Sequence, residues 1–310
     1  MEDKLTISVV IPAYKGECFI PAALDSLMNQ SDPADEIIVV DDGCPQNSGS
    51  IAESYCPGVI VVRQQNRGMA AARNAGARAV SSQWIAFLDQ DDRCAPDRIA
   101  KTRALAAANS DAKWIFGGWV QENTMNGKTF LVDCPSLEEV LRIVRFRCTI
   151  LPSFSAIRRD AFWDVGGFPT DTDLIGVDDH ALLLRFLRRH GSRAFARLSG
   201  VAGTYLLHRS NYSGKMMDHL RGRKALIRDQ VADLSGVKKF LWTQALLALA
   251  HRDVSLLMRE NRDRGFLSEM TRSLACWPFP HVALPNGRYK IFAHMLLTRF
   301  GVLRPAGSDR

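Results

Sequence analysis

Trp84-Ile85-Ala86-Phe87-Leu88-Asp89-Gln90-Asp91-Asp92 is an apolar strand pattern that runs directly into acidic residues, and it indicates the type of fold. Successive side chains of an extended chain point to opposite sides, so Asp89 and Asp91 project together while Gln90 points away. Oxygen ligands in this arrangement suit Mg²⁺ or Mn²⁺, which commonly bridge one or two carboxylates to substrate phosphates. A solvated acidic turn after a buried strand would have the same local pattern. The flanking sequence has to decide between these two interpretations.

The segments around this stretch alternate between strand and helix patterns. Ile7–Tyr14 is an apolar run, and apolar residues at helical spacing follow from Phe19 to Met28. The same pattern predicts strands at 36–40, 59–63 and 114–120 and a helix at 69–80. This alternation predicts an α/β fold with a mostly parallel sheet flanked by helices on both faces. Ligands of such sheets bind beyond the carboxyl ends of the strands, where the sequence places Tyr14, Asp41, Asp42, Asp89 and Asp91.

Six motifs in this order carry a family resemblance. They are I-P-A-Y at 11–14, V-V-D-D-G at 39–43, N-R-G-M-A-A-A-R-N-A-G at 66–76, F-L-D-Q-D-D at 87–92, G-G-F at 166–168 and V-D-D-H at 177–180. Over residues 6–190 the chain resembles the family 2 glycosyltransferases, which are inverting enzymes of the GT-A (nucleotide-diphospho-sugar transferase) fold. The resemblance implies a hexosyl- or N-acetylhexosaminyl-transferase of polysaccharide biosynthesis. It also implies a nucleotide-diphosphate sugar donor, usually a UDP-sugar, and Mn²⁺ or Mg²⁺ bridging the pyrophosphate.

The resemblance assigns a set of residues to the donor and the metal. The donor nucleotide would contact Pro12, Ala13, Tyr14, Asp42, Asn66, Gly68, Arg73, Asp89 and Gln90. Within this set, Asp42 would accept a hydrogen bond from the base edge and Arg73 would contact the pyrophosphate. Asp91 would be the metal ligand, with Asp89 beside it. Apart from the resemblance, His208 is a further candidate ligand because it follows the apolar run 205–207, and a satisfied histidine near a strand end is the alternative.

Several of these residues also have a purely structural interpretation. Tyr14 offers a flat ring for base stacking, but it could be an ordinary aromatic residue at a strand end. One of the paired acids is expected only to cap the following turn, and we expect this to be Asp41. Arg73, one turn into a helix that follows a glycine loop, could reinforce a phosphate site at the helix N-terminus or pair with an acid.

A second acidic centre opens the helical pattern that begins at Asp178. Acids in a first helical turn complement the helix dipole, so a structural role is available for both carboxylates. The resemblance instead assigns Asp179 as the general base that takes the proton of the acceptor hydroxyl. Asp178 stands where the family more often has glutamate, and this shorter side chain is a candidate for orienting the acceptor. Trp119 and Trp163 are candidates for the acceptor side, with packing in the core as the alternative.

Composition and charge limit what the localisation and domain organisation of the chain can be. The chain has 310 residues, 46% of them hydrophobic, and seven cysteines without paired C-x-x-C spacing. We expect reduced thiols, no signal peptide and a cytoplasmic protein. If its basic carboxyl-terminal part contacts lipid, the protein would be peripheral at the inner face of the plasma membrane. We predict a GT-A catalytic domain at 1–214, with a nucleotide-sugar half at 1–133 and an acceptor half at 134–214. A helical carboxyl-terminal region would follow at 215–310.

The carboxyl-terminal half is the basic half of the chain. Residues 151–310 contain 25 lysines and arginines against 14 acids, whereas residues 1–150 contain 15 against 19. Aromatic and basic residues alternate within 285–310. This segment is expected either to contact an anionic membrane or a lipid-linked acceptor, or to pack as a helix on its own domain or on another subunit.

Three classes of function are compatible with the sequence. The first is an inverting, metal-dependent sugar transferase acting on a saccharide or lipid-linked acceptor by single displacement. A sugar-phosphate nucleotidyltransferase would also use a parallel sheet and acidic ligands, but Lys15-Gly16-Glu17 is a poor version of its phosphate loop. The third class is a non-catalytic basic module that binds membrane or nucleic acid, and no nucleic-acid signature accompanies the charge.

Overall fold

The computed structural model describes residues 5–144, 146–208, 216–260 and 265–276. The segment 285–310, for which membrane contact was considered, lies outside these residues. All seven cysteines are described and all are free thiols. Within the described ranges, no helix is both long and apolar enough to span a lipid bilayer.

The strands form one continuous sheet. In chain order they are β1 (Ile7–Ala13), β2 (Glu36–Asp41), β3 (Ile60–Arg63), β4 (Trp84–Phe87), β5 (Arg93–Cys94), β6 (Trp114–Asn123), β7 (Lys128–Val132), β8 (Ser155–Arg158) and β9 (Phe195–Leu207). Their order across the sheet is β3-β2-β1-β4-β8-β6-β9-β5, and β7 pairs with β6 outside this path. The first four strands are parallel, with Ala13 opposite Asp41 and Val10 opposite Phe87.

The second half of the sheet is mixed. The β8 strand is antiparallel to both of its neighbours, β4 and β6, while β9 runs parallel to β6. The parallel arrangement predicted for the first strands is therefore present, and β8 joins these strands to the rest of the sheet.

Helices cover both faces of this sheet. In chain order they are α1 (Ile20–Met28), α2 (Ser48–Tyr55), α3 (Met69–Ala79), α4 (Arg98–Ala108), α5 (Leu137–Ile143), α6 (Arg159–Asp164) and α7 (Asp178–His190). Side chains of β1 alternate between two cores. Ile7, Val9 and Ile11 join the cluster that includes α1, α2 and α4, whereas Val10 joins the cluster that includes α3, α6 and α7. Burial on both faces explains why the strand sequences are continuously apolar.

Helix α3 lies unusually close to the sheet. A Cβ atom at Gly76 would come within 2.3 Å of Val10 Cγ1 and 3.0 Å of Val40 Cγ2. The glycine therefore lets α3 approach β1 and β2 directly. This approach positions Arg73 and Asn74, which precede Gly76 on the same helix.

The described contacts divide the chain into two compact units, Met1–Thr170 with Asp178–Asn211, and Asp171–Val177 with Tyr212–Arg310. The second unit contains α8 (Met216–Gln230), α9 (Gly236–Glu260) and α10 (Phe266–Cys276). Helix α9 is continuous over its whole length, since no glycine or proline follows Gly236 within it. His251 Nδ1 lies 2.6 Å from Glu269 Oε2, which joins α9 to α10 in the interior of this unit.

Candidate active site

The carboxyl ends of β1, β2 and β4 lie side by side, because these three strands are parallel neighbours. Asp41 ends β2 and is used structurally, as expected. Its Oδ1 accepts a hydrogen bond from the Cys44 N–H (2.8 Å), and its Oδ2 accepts one from the Gly49 N–H in the first turn of α2 (2.9 Å). Asp41 thus caps the turn and the helix that follow the strand.

Asp42 anchors the loop that leads into α3. Its Oδ1 accepts hydrogen bonds from Gln64 Nε2 (2.7 Å) and the Arg67 N–H (2.9 Å), and its Oδ2 accepts one from the Gly68 N–H (2.8 Å). The residue is 3% exposed. The edge of a nucleobase must therefore displace the Gln64 amide, or bind beside it, to form a hydrogen bond with the Asp42 carboxylate. The structural role of Asp42 in shaping the loop was not anticipated from the sequence.

The remaining donor-side candidates lie around the end of β1 and this loop. Pro12 and Ala13 are buried within β1, whereas Asn66 and Gly68 are exposed in the loop. Tyr14 is 39% exposed, and Lys15 Nζ lies 5.4 Å from its ring centroid. The exposed ring is available for stacking. The side-chain amide of Gln90 is hydrogen-bonded to the backbone of Tyr14, and its contact with the donor nucleotide stays a prediction.

The acidic turn after β4 brings Asp91 to His208. Asp91 Oδ2 lies 2.9 Å from His208 Nε2, and the imidazole stacks on the Phe19 ring with centroids 4.6 Å apart. Burial, followed by the charge of Asp89, raises the pKa of Asp91 above its usual range. A carboxylate and an imidazole are suitable ligands for Mn²⁺, and this local excess of negative charge favours a cation.

No cluster of three or more histidine, cysteine or acidic side chains suited to a metal occurs in the part of the chain that the structure describes. One or two protein ligands are nevertheless what Mg²⁺ and related ions use when substrate phosphates and waters complete the coordination. The pair Asp91 and His208 therefore fits the implied divalent ion. His208 follows the last strand, 117 residues after Asp91, so local spacing alone does not connect the two.

Asp92, the third acid of the turn, is a buried structural residue. It is 1% exposed, and its Oδ1 accepts a hydrogen bond from the Leu206 N–H at 3.1 Å. Burial, with smaller contributions from Asp89 and Asp91, raises the pKa of Asp92 well above its ordinary value. This carboxyl ties the acidic turn to β9, two residues before His208.

Arg73 connects the acidic turn to the second acidic centre. Its Nη2 donates to Asp89 Oδ1 at 2.6 Å, and its Nη1 lies 3.4 Å from Asp178 Oδ2. The guanidinium side chain is only 4% exposed, and it lies 5.2 Å from the Phe168 ring centroid. The direct contact of Arg73 with pyrophosphate stays a prediction, and in the structure the guanidinium is buried and paired with two carboxylates. The positive charge of Arg73 acts on Asp89 in the acidic turn and on Asp178 at the start of α7.

Asp178 and Asp179 begin α7 in a poorly solvated position. Burial raises the pKa of Asp178 to about 6, with Arg73 opposing this shift and Asp179 adding to it. Burial also raises the pKa of Asp179, while the His180 N–H, which donates to Asp179 Oδ1 at 2.7 Å, and the Cys148 thiol oppose that rise. A carboxylate with a raised pKa is a better proton acceptor than a solvated one, which suits a general base.

Two supporting residues were not recognised from the sequence. Asn74 Nδ2 donates to the Phe168 carbonyl (2.7 Å) and its Oδ1 accepts from the Phe168 N–H (2.9 Å), so α3 holds the G-G-F turn. Arg98, 1% exposed, donates to the carbonyls of Ser153 (2.6 Å), Phe87 (3.2 Å) and Ser155 (2.9 Å). Arg98 thereby ties the end of β4 to the start of β8.

The two tryptophans proposed for the acceptor side have different surroundings. Trp119 stacks on Phe154 at 5.6 Å with an interplanar angle of 13°, and Phe154 follows Ser153, whose Oγ accepts from the Asp89 N–H. Trp163 instead lies 5.0 Å from the Arg78 guanidinium, in the last turn of α3. Trp119 therefore stays a prediction for the acceptor side. The acceptor-side role of Trp163 also stays a prediction, and its contact is with the end of α3 remote from Arg73.

Comparison with protein families gives one assignment over most of the sheet. A family model described as Glycosyl transferase family 2 matches residues 8–166. An uncharacterized glycosyltransferase of Haemophilus influenzae is 30% identical over 185 residues, covering 59% of this chain and 62% of the relative. Validoxylamine A glucosyltransferase of Streptomyces hygroscopicus subsp. limoneus is 31% identical, covering 60% of this chain and 48% of that protein. The chain thus spans less than two thirds of the length of these relatives.

Solved structures share the predicted GT-A fold with this chain, at lower sequence identity than the relatives above. S. aureus TarS in complex with UDP-GlcNAc superposes with a TM-score of 0.61 at 17% identity, covering 88% of this chain and 81% of that chain. The mannosyltransferase PcManGT of Pyrobaculum calidifontis, in complex with GDP-Man and Mn²⁺, gives 0.58 at 15% identity, covering 98% and 82%.

Proposed function

The chain belongs to glycosyl transferase family 2, and on that premise we propose that it transfers a sugar from a nucleotide-diphosphate sugar to a hydroxyl of a saccharide or lipid-linked acceptor, with inversion. The observation that carries this proposal is the Arg73 bridge. One buried guanidinium joins Asp89 of the metal-side turn to Asp178 at the start of α7. A donor site and a proton acceptor are thereby held at the same edge of the sheet.

For the donor we propose a UDP-sugar, bound along the ends of β1 and β2. The exposed Tyr14 ring offers a stacking surface for the base. The loop fixed by Asp42 ends at Gly68, directly before the N-terminus of α3. The N–H groups of a helix N-terminus favour phosphate oxygens, so we assign the diphosphate to this end of α3. The UDP-GlcNAc complex of TarS and the GDP-Man complex of PcManGT support a nucleotide-sugar donor.

We propose Mn²⁺ or Mg²⁺ as the cofactor, held by Asp91 and His208 with Asp89 beside them. When bound, the ion would neutralise charge on the departing diphosphate. The protein's own contribution on this side is to fix the acidic turn. The Asp89 N–H donates to Ser153 Oγ (3.0 Å), and the Asp92 N–H donates to the Asp89 carbonyl (3.0 Å). The Mn²⁺ complex of PcManGT supports the assignment of a divalent ion.

The proposed chemistry on the acceptor side is proton removal by Asp179. As the acceptor oxygen attacks the anomeric carbon, the Asp179 carboxylate takes the hydroxyl proton, and the nucleotide diphosphate leaves from the opposite face. Asp178 orients the acceptor, and Arg73 keeps part of the Asp178 population ionised by opposing its raised pKa. Buried carboxylates without this compensation would hold their protons near neutral pH and could not act as bases.

The decisive experiment is a panel of UDP- and GDP-sugars tested for Mn²⁺-dependent thermal stabilisation. A ligand at a hundred times its dissociation constant adds about 2.7 kcal/mol to the stability of the folded state. We expect stabilisation by one group of donors, its loss with EDTA, and its loss in Asp91→Ala but not in the exposed control Asp111→Ala. Stabilisation that is equal with and without metal, or absent for every donor, would contradict the proposal.

A further inference from the structure

The side-chain amide of Gln90 clamps the backbone at the end of β1. Gln90 Oε1 accepts a hydrogen bond from the Tyr14 N–H at 2.9 Å, and Gln90 Nε2 donates to the Tyr14 carbonyl at 3.0 Å. One side chain therefore satisfies both polar groups of a single residue, as a neighbouring strand would. The clamp joins the residue between the two metal-side acids to the residue that carries the proposed base platform.

The strand geometry explains why a side chain is needed here. The β1–β4 pairing extends through the Leu88 N–H, which donates to the Val10 carbonyl at 3.1 Å. The next residue of β1 that faces β4 is Pro12, which has no N–H to donate. After Leu88 the chain turns away into the acidic turn. Gln90 then continues the pairing to Tyr14 with its side-chain amide in place of a backbone peptide.

Gly16 leaves the space that the Gln90 amide occupies. A Cβ atom at position 16 would lie 1.9 Å from Gln90 Oε1 and 2.3 Å from its Cδ. Gly16 does not have a positive φ angle, so its backbone is compatible with alanine. The nearest atoms to the added methyl group belong to the flexible Gln90 side chain. Gly16→Ala is therefore expected to displace the clamp and to leave the fold in place.

We propose that Gln90 is a positioning residue that fixes the spacing between the nucleobase platform and the metal-side acids. The proposal rests on the donor site described under the proposed function. Asp89 and Asp91 engage the diphosphate end of the donor, while Tyr14 engages its base, and Gln90 is the side chain that connects the two. A nucleoside diphosphate spans both ends and depends on this spacing, whereas pyrophosphate touches only one end and does not.

The two probes, Mn²⁺–UDP and Mn²⁺–pyrophosphate, separate this role from general damage to the site. In Gln90→Ala we expect Mn²⁺–UDP to bind about tenfold more weakly, the order that two neutral hydrogen bonds can carry. Binding of Mn²⁺–pyrophosphate should change by less than about twofold on the same reasoning, since its contacts are untouched. Gln90→Met, which keeps the chain length but makes neither hydrogen bond, should behave like Gln90→Ala. Gln83→Ala, at the exposed opposite end of β4, is the matched control and should change neither affinity.

A double-mutant cycle with Gly16 tests the clamp itself. Gly16→Ala alone should weaken Mn²⁺–UDP binding about as much as Gln90→Ala, and the double variant should be no weaker than either single one, because both changes remove the same contact. Additive losses, or equal losses for UDP and pyrophosphate, would overturn the clamp. If the wild type binds Mn²⁺–UDP and Gln90→Ala binds it equally well, the clamp fails while the proposed function stands. If the wild type binds no nucleotide with Mn²⁺, the proposed function fails and the positioning role fails with it.

Discussion

Asp178→Asn should make the protein more stable at neutral pH while impairing its activity. Burial raises the pKa of Asp178 to about 6 from an ordinary value of 3.8. The folded state therefore holds this proton more tightly than the unfolded chain does. The stability contributed by the protonated group is fully present below about pH 3.8 and is lost as the pH rises through about 6. At 1.36 kcal/mol for each pKa unit, the loss amounts to about 3 kcal/mol.

The amide of asparagine resembles the protonated carboxyl and does not titrate. The difference in free energy of unfolding between Asp178→Asn and the wild type should therefore grow by about 2 kcal/mol between pH 4 and pH 7.5, because the rest of the loss of about 3 kcal/mol occurs below pH 4. Replacing the carboxyl opposite Arg73 also changes the free energy of unfolding by an amount that does not depend on pH. That amount shifts the whole curve of stability against pH without changing its slope. Arg73 keeps its shorter contact with Asp89 in the variant, so its charge remains paired.

The measurement is urea unfolding followed by circular dichroism at several pH values, with Asp111→Asn as the matched control. Asp111 is exposed, so its replacement should give a difference that is flat with pH. A flat difference for Asp178→Asn, or one that falls as the pH rises, would refute the assignment of a raised pKa. Gain of stability together with loss of turnover would identify Asp178 as a carboxylate kept for function at a cost in stability.

Three further substitutions test separate parts of the site. Asp91→Ala should abolish the effect of Mn²⁺ on UDP affinity in calorimetry, and an unchanged affinity would remove Asp91 from the metal site. Asp179→Asn should leave Mn²⁺–UDP affinity nearly intact and lower turnover by about two to four orders of magnitude, the range for loss of a general base; wild-type turnover would reduce Asp179 to a helix-capping acid. Arg98→Met should destabilise the fold by about 3–5 kcal/mol, since it strands three buried carbonyls. The exposed Arg142→Met should change stability by less than about 0.5 kcal/mol in the same unfolding assay, and equal effects would contradict the buried role of Arg98.

The parts of the fold that the sequence predicts are those with a local cause. Continuous apolar strands such as β1 and β2 are readable because both faces are buried, and their ends are marked by Pro12, Asp41 and Gly43. The capping role of Asp41 was predictable for the same reason, since its partners lie within eight residues. The antiparallel β8 was not predictable, because strand direction is set by long-range packing and leaves little trace in a four-residue segment.

The choice of side-chain partners within the site was the main omission. Arg73 reaches Asp178 across 105 residues, and Gln90 reaches Tyr14 across 76. Periodicity and spacing report which face of an element a residue occupies, but not which charged or polar group it will meet there. An arginine after a glycine loop suggests a phosphate contact, but the pairing of Arg73 with two buried carboxylates has no local signal in the sequence.

The pairing of neighbouring α3 residues with later segments limits how this chain can be recombined with its relatives. Arg73 and Asn74 lie before residue 133, while their partners Asp178 and Phe168 lie after it. A chimera joined near residue 133 would separate these contacting pairs unless both parents carry them. Under the proposed function, grafting a new donor preference onto this chain therefore requires exchanging loops around Tyr14 while keeping α3 native.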